Sequence, residues 1–328
     1  MQTASLALKL GSCTALLLFS VTATLFAEAS KSPNGEYPYN TFIIPFSVEA
    51  CKLVVSSLLL ARHHVRARHP SPSNMVNYAV NMQFEVVKFI LYAVPAFCYF
   101  ISNNCMFYII RDLGPSTFQV TNNLKILTTG VMMRIFLGRR LSWLKWKALI
   151  ILAIGSMVTQ LKATVSDAGQ HKTSLSSANG TGRAYMIVSF NAFAAGAGGV
   201  FSEKLLKSKD DSKISADSIH WQNIQLYFFG AVFGLLPLYT NQIEMSNGIF
   251  AGFNTFAYAT VATLTICGLL VSFILKYIDN VAKCFVAALS MICIAFIDAT
   301  LKQEALSLQL VLGILLTCIA LEQYNLSD

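Results

Sequence analysis

Apolar residues run through this chain in long blocks, and polar and charged residues collect in short stretches between them. A helix that crosses a bilayer needs roughly 20 mostly apolar residues. Ten blocks meet that length: 5–27, 41–61, 86–109, 114–136, 143–163, 184–205, 221–240, 255–275, 281–301 and 307–323. Only Arg111 to Gly114 separates the third from the fourth, and Lys276 to Asn280 the eighth from the ninth, so these neighbours must run antiparallel. The pattern predicts an all-α integral membrane protein with ten transmembrane helices. A loop at 164–183, rich in Ser, Gly and Thr, would join a first unit (1–163) to a second (184–328) that ends in a short tail. The first block has Lys9, an apolar run and Ala27-Glu28-Ala29, the outline of a cleavable signal. Its apolar run is longer than a signal core, which favours a retained helix.

Composition agrees. The chain is 55% hydrophobic and 12% charged, whereas a soluble domain carries about 25% charged residues. The net charge of +8 would suggest nucleic acid in a soluble protein. Here the basic residues flank apolar blocks, so they orient the chain in the membrane. With both termini in the cytosol, the loops on that side hold Arg62, Arg66, Arg68, Arg139, Arg140, Lys145, Lys147, Lys204, Lys207, Lys209, Lys213, Lys276 and Lys283. The opposite loops hold Lys31, Arg111, Lys162, Lys172, Arg183 and Lys302. Asn179-Gly180-Thr181, a glycosylation sequon, falls in a loop on that second, lumenal side, which makes Asn179 a glycosylation candidate.

A weak internal repeat relates the two units. IIRDLGP (109–115) resembles ILKYIDN (274–280); each follows one long apolar block and opens another. Five blocks separate them. An odd offset puts the copies on opposite membrane faces, as inverted five-helix repeats require.

The chemistry lies in polar residues that have no reason to face lipid. A charge at the bilayer centre costs about 2.5–3.5 kcal/mol on insertion scales, so it should face a cavity or a partner. Lys125 falls midway along block 114–136. Phe118, Thr121, Asn122, Lys125 and Thr129 share one helical face there, a stripe suited to an anionic ligand. A purely structural reading would pair Lys125 with Glu49. Glu49 and Lys52, three residues apart, also make a candidate structural ion pair with each other. Asn103, next to Asn104, suits either an interface or a cavity lining. Asn223 and Tyr227 sit one turn apart; an amide and a phenol suit a nucleobase, and an interfacial aromatic belt is the plainer alternative. Lys276 and Lys283 flank a helix start, where free N–H groups and positive charge attract phosphate; ordinary flanking charge explains them equally. The small residues at 194–199 read as a helix-packing surface, and Glu203 with Lys204 as a cytosolic ion pair.

No catalytic motif, metal-ligand spacing or phosphate-binding P-loop is present, so the chain reads as a non-enzyme that needs no metal or cofactor. The eight cysteines fall almost entirely inside apolar blocks, without paired spacing, and read as small buried apolar side chains. What remains is a membrane cavity with cationic, amide and aromatic groups, suited to an organic anion such as a nucleotide conjugate.

Four stretches, PSTFQVTNNLKILTT (115–129), VFSEKLLK (200–207), WQNIQLY (221–227) and LLVSFILKYIDNVAK (269–283), occur in an order and spacing that resembles the nucleotide-sugar transporter family, within the drug/metabolite transporter superfamily. The resemblance, from about Glu49 to the C-terminus, is to the branch carrying CMP-sialic acid, UDP-galactose and UDP-N-acetylglucosamine. It implies ten helices in two inverted repeats, a Golgi or ER membrane, and antiport of cytosolic nucleotide sugar for lumenal nucleoside monophosphate. Membrane lipids, and a second copy or a glycosyltransferase, are the further partners it implies. By the same resemblance Lys125 and Lys276 contact phosphate, and Asn103, Asn223 and Tyr227 line the nucleotide site. Phe118 and Ala195 depart from the CMP-sialic acid pattern, which has tyrosine and serine there, so a UDP-sugar is an equally good expectation. Two other readings stay open: a triose-phosphate or other organic-anion exporter of the same superfamily, and a non-transporting Golgi scaffold.

Overall fold

The computed structural model describes residues 6–34, 37–66, 86–113, 121–167, 178–207, 219–240, 250–301 and 307–326. These are helical almost throughout, with no strand among the described residues. The helices are α1 (Leu6–Ala29), α2 (Ile43–Arg66), α3 (Val86–Leu91), α4 (Ala93–Leu113), α5 (Leu124–Phe136), α6 (Trp143–Asp167), α7 (Ala178–Leu206), α8 (Ile219–Thr240), α9 (Thr255–Tyr277), α10 (Asn280–Leu301) and α11 (Leu308–Asn325). Among the described residues, five stretches are long and apolar enough to cross a membrane: α1, Ile43–Arg62, Tyr185–Leu206, α9 and α10. Phe89–Cys105, which spans the junction of α3 and α4, and Leu308–Tyr324 are shorter apolar helical stretches. Large side chains such as Val87, Met186 and Leu301 lie more than two-thirds exposed (72%, 75% and 74%), as expected where the solvent is hydrocarbon.

Local chemistry sets the helix ends. Asn254 accepts from Ala257 N–H at 2.8 Å to start α9, and Asp279 accepts from Ala282 N–H at 2.7 Å at the start of α10; both are ordinary N-terminal caps. Just after α5, Gly138 takes a positive φ of 64°, a conformation glycine adopts at little cost. The block at 86–109 is not one helix. It breaks at Tyr92, just before Pro95, which has no N–H to give the Leu91 carbonyl; at the break Tyr92 N–H donates to the Phe89 carbonyl, three residues back, at 3.1 Å. The block at 114–136 also differs. A turn at Asn123 precedes α5, so Lys125 stands in the first turn of that helix rather than midway along it; residues 114–120, Phe118 included, lie outside the described residues. Helices α6 and α7 extend into the ends of the expected 164–183 loop, so Asn179 falls in the first turn of α7.

Glycines set the closest crossings. A Cβ on Gly196 of α7 would stand 2.7 Å from Thr128 Oγ1 and 3.0 Å from the Thr129 backbone nitrogen. At Gly198 it would meet Cys98 and Tyr99 of α4, and at Gly313 the Gly155 carbonyl, 2.9 Å away. The main buried core joins α5, α6, α7, α10 and α11 around Met133, Leu149, Leu152, Val200 and Phe285. Packing has a regular pattern. Helix α6 packs on α11, α2 on α8 and α5 on α10; α4 packs on α7 as α1 does on α9. Likewise α5–α7 matches α1–α10, α4–α8 matches α2–α9, and α5–α6 matches α10–α11.

Candidate functional site

Two joined cavities open among α1, α2, α4, α8, α9 and α10. The first, about 330 Å³, is lined by Glu49 and Lys52 of α2, Tyr99, Phe100, Asn103 and Asn104 of α4, Tyr227 of α8, Ser272 of α9 and Lys283 of α10. The second, about 560 Å³, is lined by Ser20 of α1, Tyr37, Tyr39 and Thr41 of the α1–α2 connection, Thr260 and Cys267 of α9, and again Glu49, Asn103 and Lys283. Both fall in the size range of small-molecule sites, and the shared residues make them two lobes of one chamber.

Charge is distributed unevenly around it. Lys52 Nζ stands 2.5 Å from Glu49 Oε1 and 4.3 Å from the centre of the Tyr227 ring. That pair is near neutral overall, and the ring face adds cation–π attraction. Tyr227 is fixed by its hydroxyl, which shares a 2.7 Å hydrogen bond with Ser272 and donates to the Gly268 carbonyl at 3.3 Å. Two glycines give the pair room: a Cβ on Gly230 would stand 2.7 Å from Glu49 Oε2, and on Gly268 2.5 Å from Lys52 Cδ. Lys283 differs. It lies over the Tyr99 ring at 6.0 Å, and no carboxylate of the described residues pairs with it. It stands in the first turn of α10, where the helix dipole adds positive potential. At the mouth of the second lobe, burial pushes the Tyr37 phenol above its ordinary pKa, while Lys31 beside it pulls the other way; Lys31 itself pairs with Glu28 at 2.7 Å.

The residues singled out from the sequence fall into groups. Glu49, Lys52, Asn103 and Tyr227 meet in the first lobe. Lys125 is not on its wall. It lies within electrostatic reach of Lys283 and Cys284, and Glu49, engaged with Lys52, does not pair with it. Lys276 is not on the wall either: its ammonium donates to Gln222 Oε1 at 2.7 Å. Asn223 is buried one turn from Tyr227, with Oδ1 unbonded. Asn122 is half-buried beside the turn at Asn123. Glu203 pairs with Lys207 and Arg139, at 2.7 and 3.1 Å, and not with Lys204, which points to the exposed side. Among the described residues no cluster suits a metal ion.

Sequence reasoning missed Tyr99 and undervalued Lys283. Both had a signal: Tyr99 lies one turn before Asn103, and Lys283 interrupts an otherwise apolar run.

A model of the nucleotide-sugar transporter family matches residues 4–325. Among curated relatives, the "CMP-sialic acid transporter 1" of Oryza sativa subsp. japonica is 34% identical over 317 residues, covering 94% of this chain and 92% of the relative. The protein of the same name from Arabidopsis thaliana is 30% identical over 319 residues, 94% of this chain and 88% of the relative. The "UDP-N-acetylglucosamine transporter" of Rattus norvegicus is 33% identical over 218 residues, 65% of this chain and 62% of the relative.

Proposed function

Because the chain belongs to the nucleotide-sugar transporter family, we propose that it exchanges a cytosolic nucleotide sugar for a lumenal nucleoside monophosphate across a Golgi or ER membrane. The observation that carries this reading is Lys283, a cation without a described acid partner, where an aromatic and amide lobe meets a hydroxyl-lined lobe. Phosphate sits at that junction. Lys125, in the first turn of α5, raises the local positive potential from behind. The nucleoside occupies the first lobe, where Tyr99 offers an aromatic face, Tyr227 holds the Glu49–Lys52 pair in the wall, and Asn103 offers hydrogen bonds to the base or ribose. Asn223 supports Tyr227 from one turn away, and Asn122 belongs to the approach to Lys125. Lys276 acts in fastening α9 to α8 rather than in holding phosphate. The sugar extends into the second lobe, toward Tyr37 and Thr41. A UDP-sugar or a CMP-sialic acid-like conjugate both satisfy this layout, as the names of the relatives suggest.

Ten spans in two inverted five-helix repeats, with both termini cytosolic, complete the reading. Two features support it. The principal packing pairs map onto one another when α1 is exchanged with α7, α2 with α8, α4 with α9, α5 with α10 and α6 with α11. The charge bias of the connecting segments favours the same orientation. Alternating access then follows from rocking one repeat against the other around the chamber. The family assignment lends nothing to the triose-phosphate or scaffold readings.

Proteoliposomes containing the purified chain test the proposal. Loaded with UMP or CMP, they should take up labelled nucleotide sugar, and unloaded vesicles should not. Equal uptake with and without internal nucleotide would reject exchange, and uptake of sugar phosphate alone would reject the substrate class.

A further inference from the structure

Glu203 of α7 has no solvent exposure, the most complete burial of any charged side chain among the described residues. A carboxylate in that position costs several kcal/mol unless it is paired and hydrogen-bonded. Glu203 meets that demand with three donors. Its Oε1 takes Lys207 Nζ at 2.7 Å and Arg139 Nη1 at 3.1 Å. Its Oε2 accepts the backbone N–H of Asn280 at 3.0 Å. Lys207 also donates to the Ile278 carbonyl. The turn from α9 to α10 is thus held against α7 on both sides of Asp279. Gly199, one turn earlier in α7, makes the approach feasible, since a Cβ there would stand 2.5 Å from Asn280 Nδ2.

Two consequences follow from where these bonds lead. Lys283 comes three residues after Asn280, so the bond to Glu203 fixes how far the first turn of α10 stands from the chamber. Arg139 follows α5, the helix that bears Lys125, so one carboxylate ties together the ends of both lysine-bearing helices. Arg139 is also the one member of the cluster from the first half of the chain. The chamber reaches toward Tyr37, Thr41 and Phe42, at the end assigned to the lumen. The Glu203 cluster lies among the turns assigned to the cytosol.

We propose that Glu203 is a positioning residue for exchange, which sets Lys283 against the chamber through the start of α10, and that its Arg139 arm is the latch released when the chamber turns to the cytosol. The latch rests on the rocking-repeat reading above. Arg139 is the arm built to release. Its side chain is 41% exposed, so water can replace the bond, and Glu203 keeps Lys207 and Asn280 when it does. No charge is left buried without a partner.

The test uses the full chain in vesicles, with UMP and CMP as probes and Cys267, which lines the second lobe, as a reporter. A membrane-impermeant maleimide is applied from the lumenal side, and modification of Cys267 is followed by peptide mass spectrometry. Arg139→Gln should slow that modification roughly two- to tenfold, the effect of losing one partly exposed charged hydrogen bond, and Arg139→Lys should restore most of it. Unchanged labelling in Arg139→Gln would overturn the latch. Glu203→Gln should raise the KM for nucleoside monophosphate well beyond any change in Arg139→Gln. A role in folding alone would lower yield and melting temperature and leave KM where it was; that result in folded Glu203→Gln would overturn the positioning role. If Glu203→Gln does not fold, Glu203→Asp, which keeps the charge, carries the same KM comparison. If wild-type protein exchanges neither UMP nor CMP, the nucleotide reading fails, while the Cys267 comparison still decides the latch.

Discussion

Lys283 and Lys276 lie seven residues apart; the first lines the chamber and the second bonds Gln222, and the opposite tasks proposed for them can be separated by a pair of neutral substitutions. Lys283→Gln removes the cation that lines both lobes. Two unit charges about 4 Å apart attract by roughly 4 kcal/mol at an effective dielectric of about 20. Desolvation of ammonium and phosphate takes back part, leaving about 1.5–3 kcal/mol for a charged hydrogen bond. The KM for nucleoside monophosphate should therefore rise by about 10- to 100-fold. Folding should be unharmed, because Lys283 has no described carboxylate whose charge would be orphaned and a buried amide costs less than a buried ammonium. Lys276→Gln removes the 2.7 Å bond to Gln222 that fastens α9 to α8. Its melting temperature in detergent should fall while KM stays within about threefold, below the loss of one charged contact. Exchange kinetics in vesicles and a melting curve for each variant give the comparison. A normal KM for Lys283→Gln together with a large rise for Lys276→Gln would refute the phosphate position argued from the chamber lining.

Three further outcomes follow. Lys125→Ala should raise the KM for nucleoside monophosphate, by less than Lys283→Gln does, yet leave the protein folded, since no described acid depends on it; an unchanged KM would show that Lys125 adds nothing to the potential at Lys283. Gly196→Ala drives a Cβ against Thr128 and the backbone of Thr129 and should cost about 1–3 kcal/mol by overpacking, read as a lower melting temperature; an unchanged melt would mean α7 and α5 are free to separate. Tyr227→Phe keeps the ring over Lys52 but loses the bonds to Ser272 and Gly268, whereas Tyr227→Leu loses both, so nucleotide affinity should fall further in Tyr227→Leu; equal losses would show that the ring itself contributes nothing.

Much of the helical layout was legible in the sequence because hydrocarbon imposes one dominant rule, and block length reads it directly. The breaks were harder to see. Pro95 lay inside an apolar block, and its effect at Tyr92 depends on a hydrogen bond that hydropathy does not register. The candidate site was legible by residue type more than by position. Glu49 with Lys52, and Asn103 with Tyr227, were visible as polar residues one turn apart or on neighbouring blocks. Lys276 and Lys283 were not separable. Both flank the same turn, and only the facing helices decide which meets Gln222 and which meets the chamber. Adjacency in sequence suggests Lys204 as the partner of Glu203, yet side chains one residue apart on a helix diverge by about 100°; Lys207, one turn on, shares its face.

The same charge arrangement explains why such a chamber would favour exchange over one-way release. Lys52 is matched by Glu49, but Lys283 is not matched within the described residues, and Lys125 lies near enough to add to its potential. To face the other side of the membrane, the chamber must pass through a closed state in which water is largely excluded. An unmatched ammonium sealed away from water costs several kcal/mol, and each such increment of about 1.4 kcal/mol slows the passage roughly tenfold. A bound phosphate supplies the missing negative charge and removes most of that cost. Loaded protein should therefore reorient far faster than empty protein, whichever anion it carries. Coupling between the outgoing monophosphate and the incoming nucleotide sugar then needs no separate device. It follows from a positive group at the lobe junction that no carboxylate of the described residues pairs with.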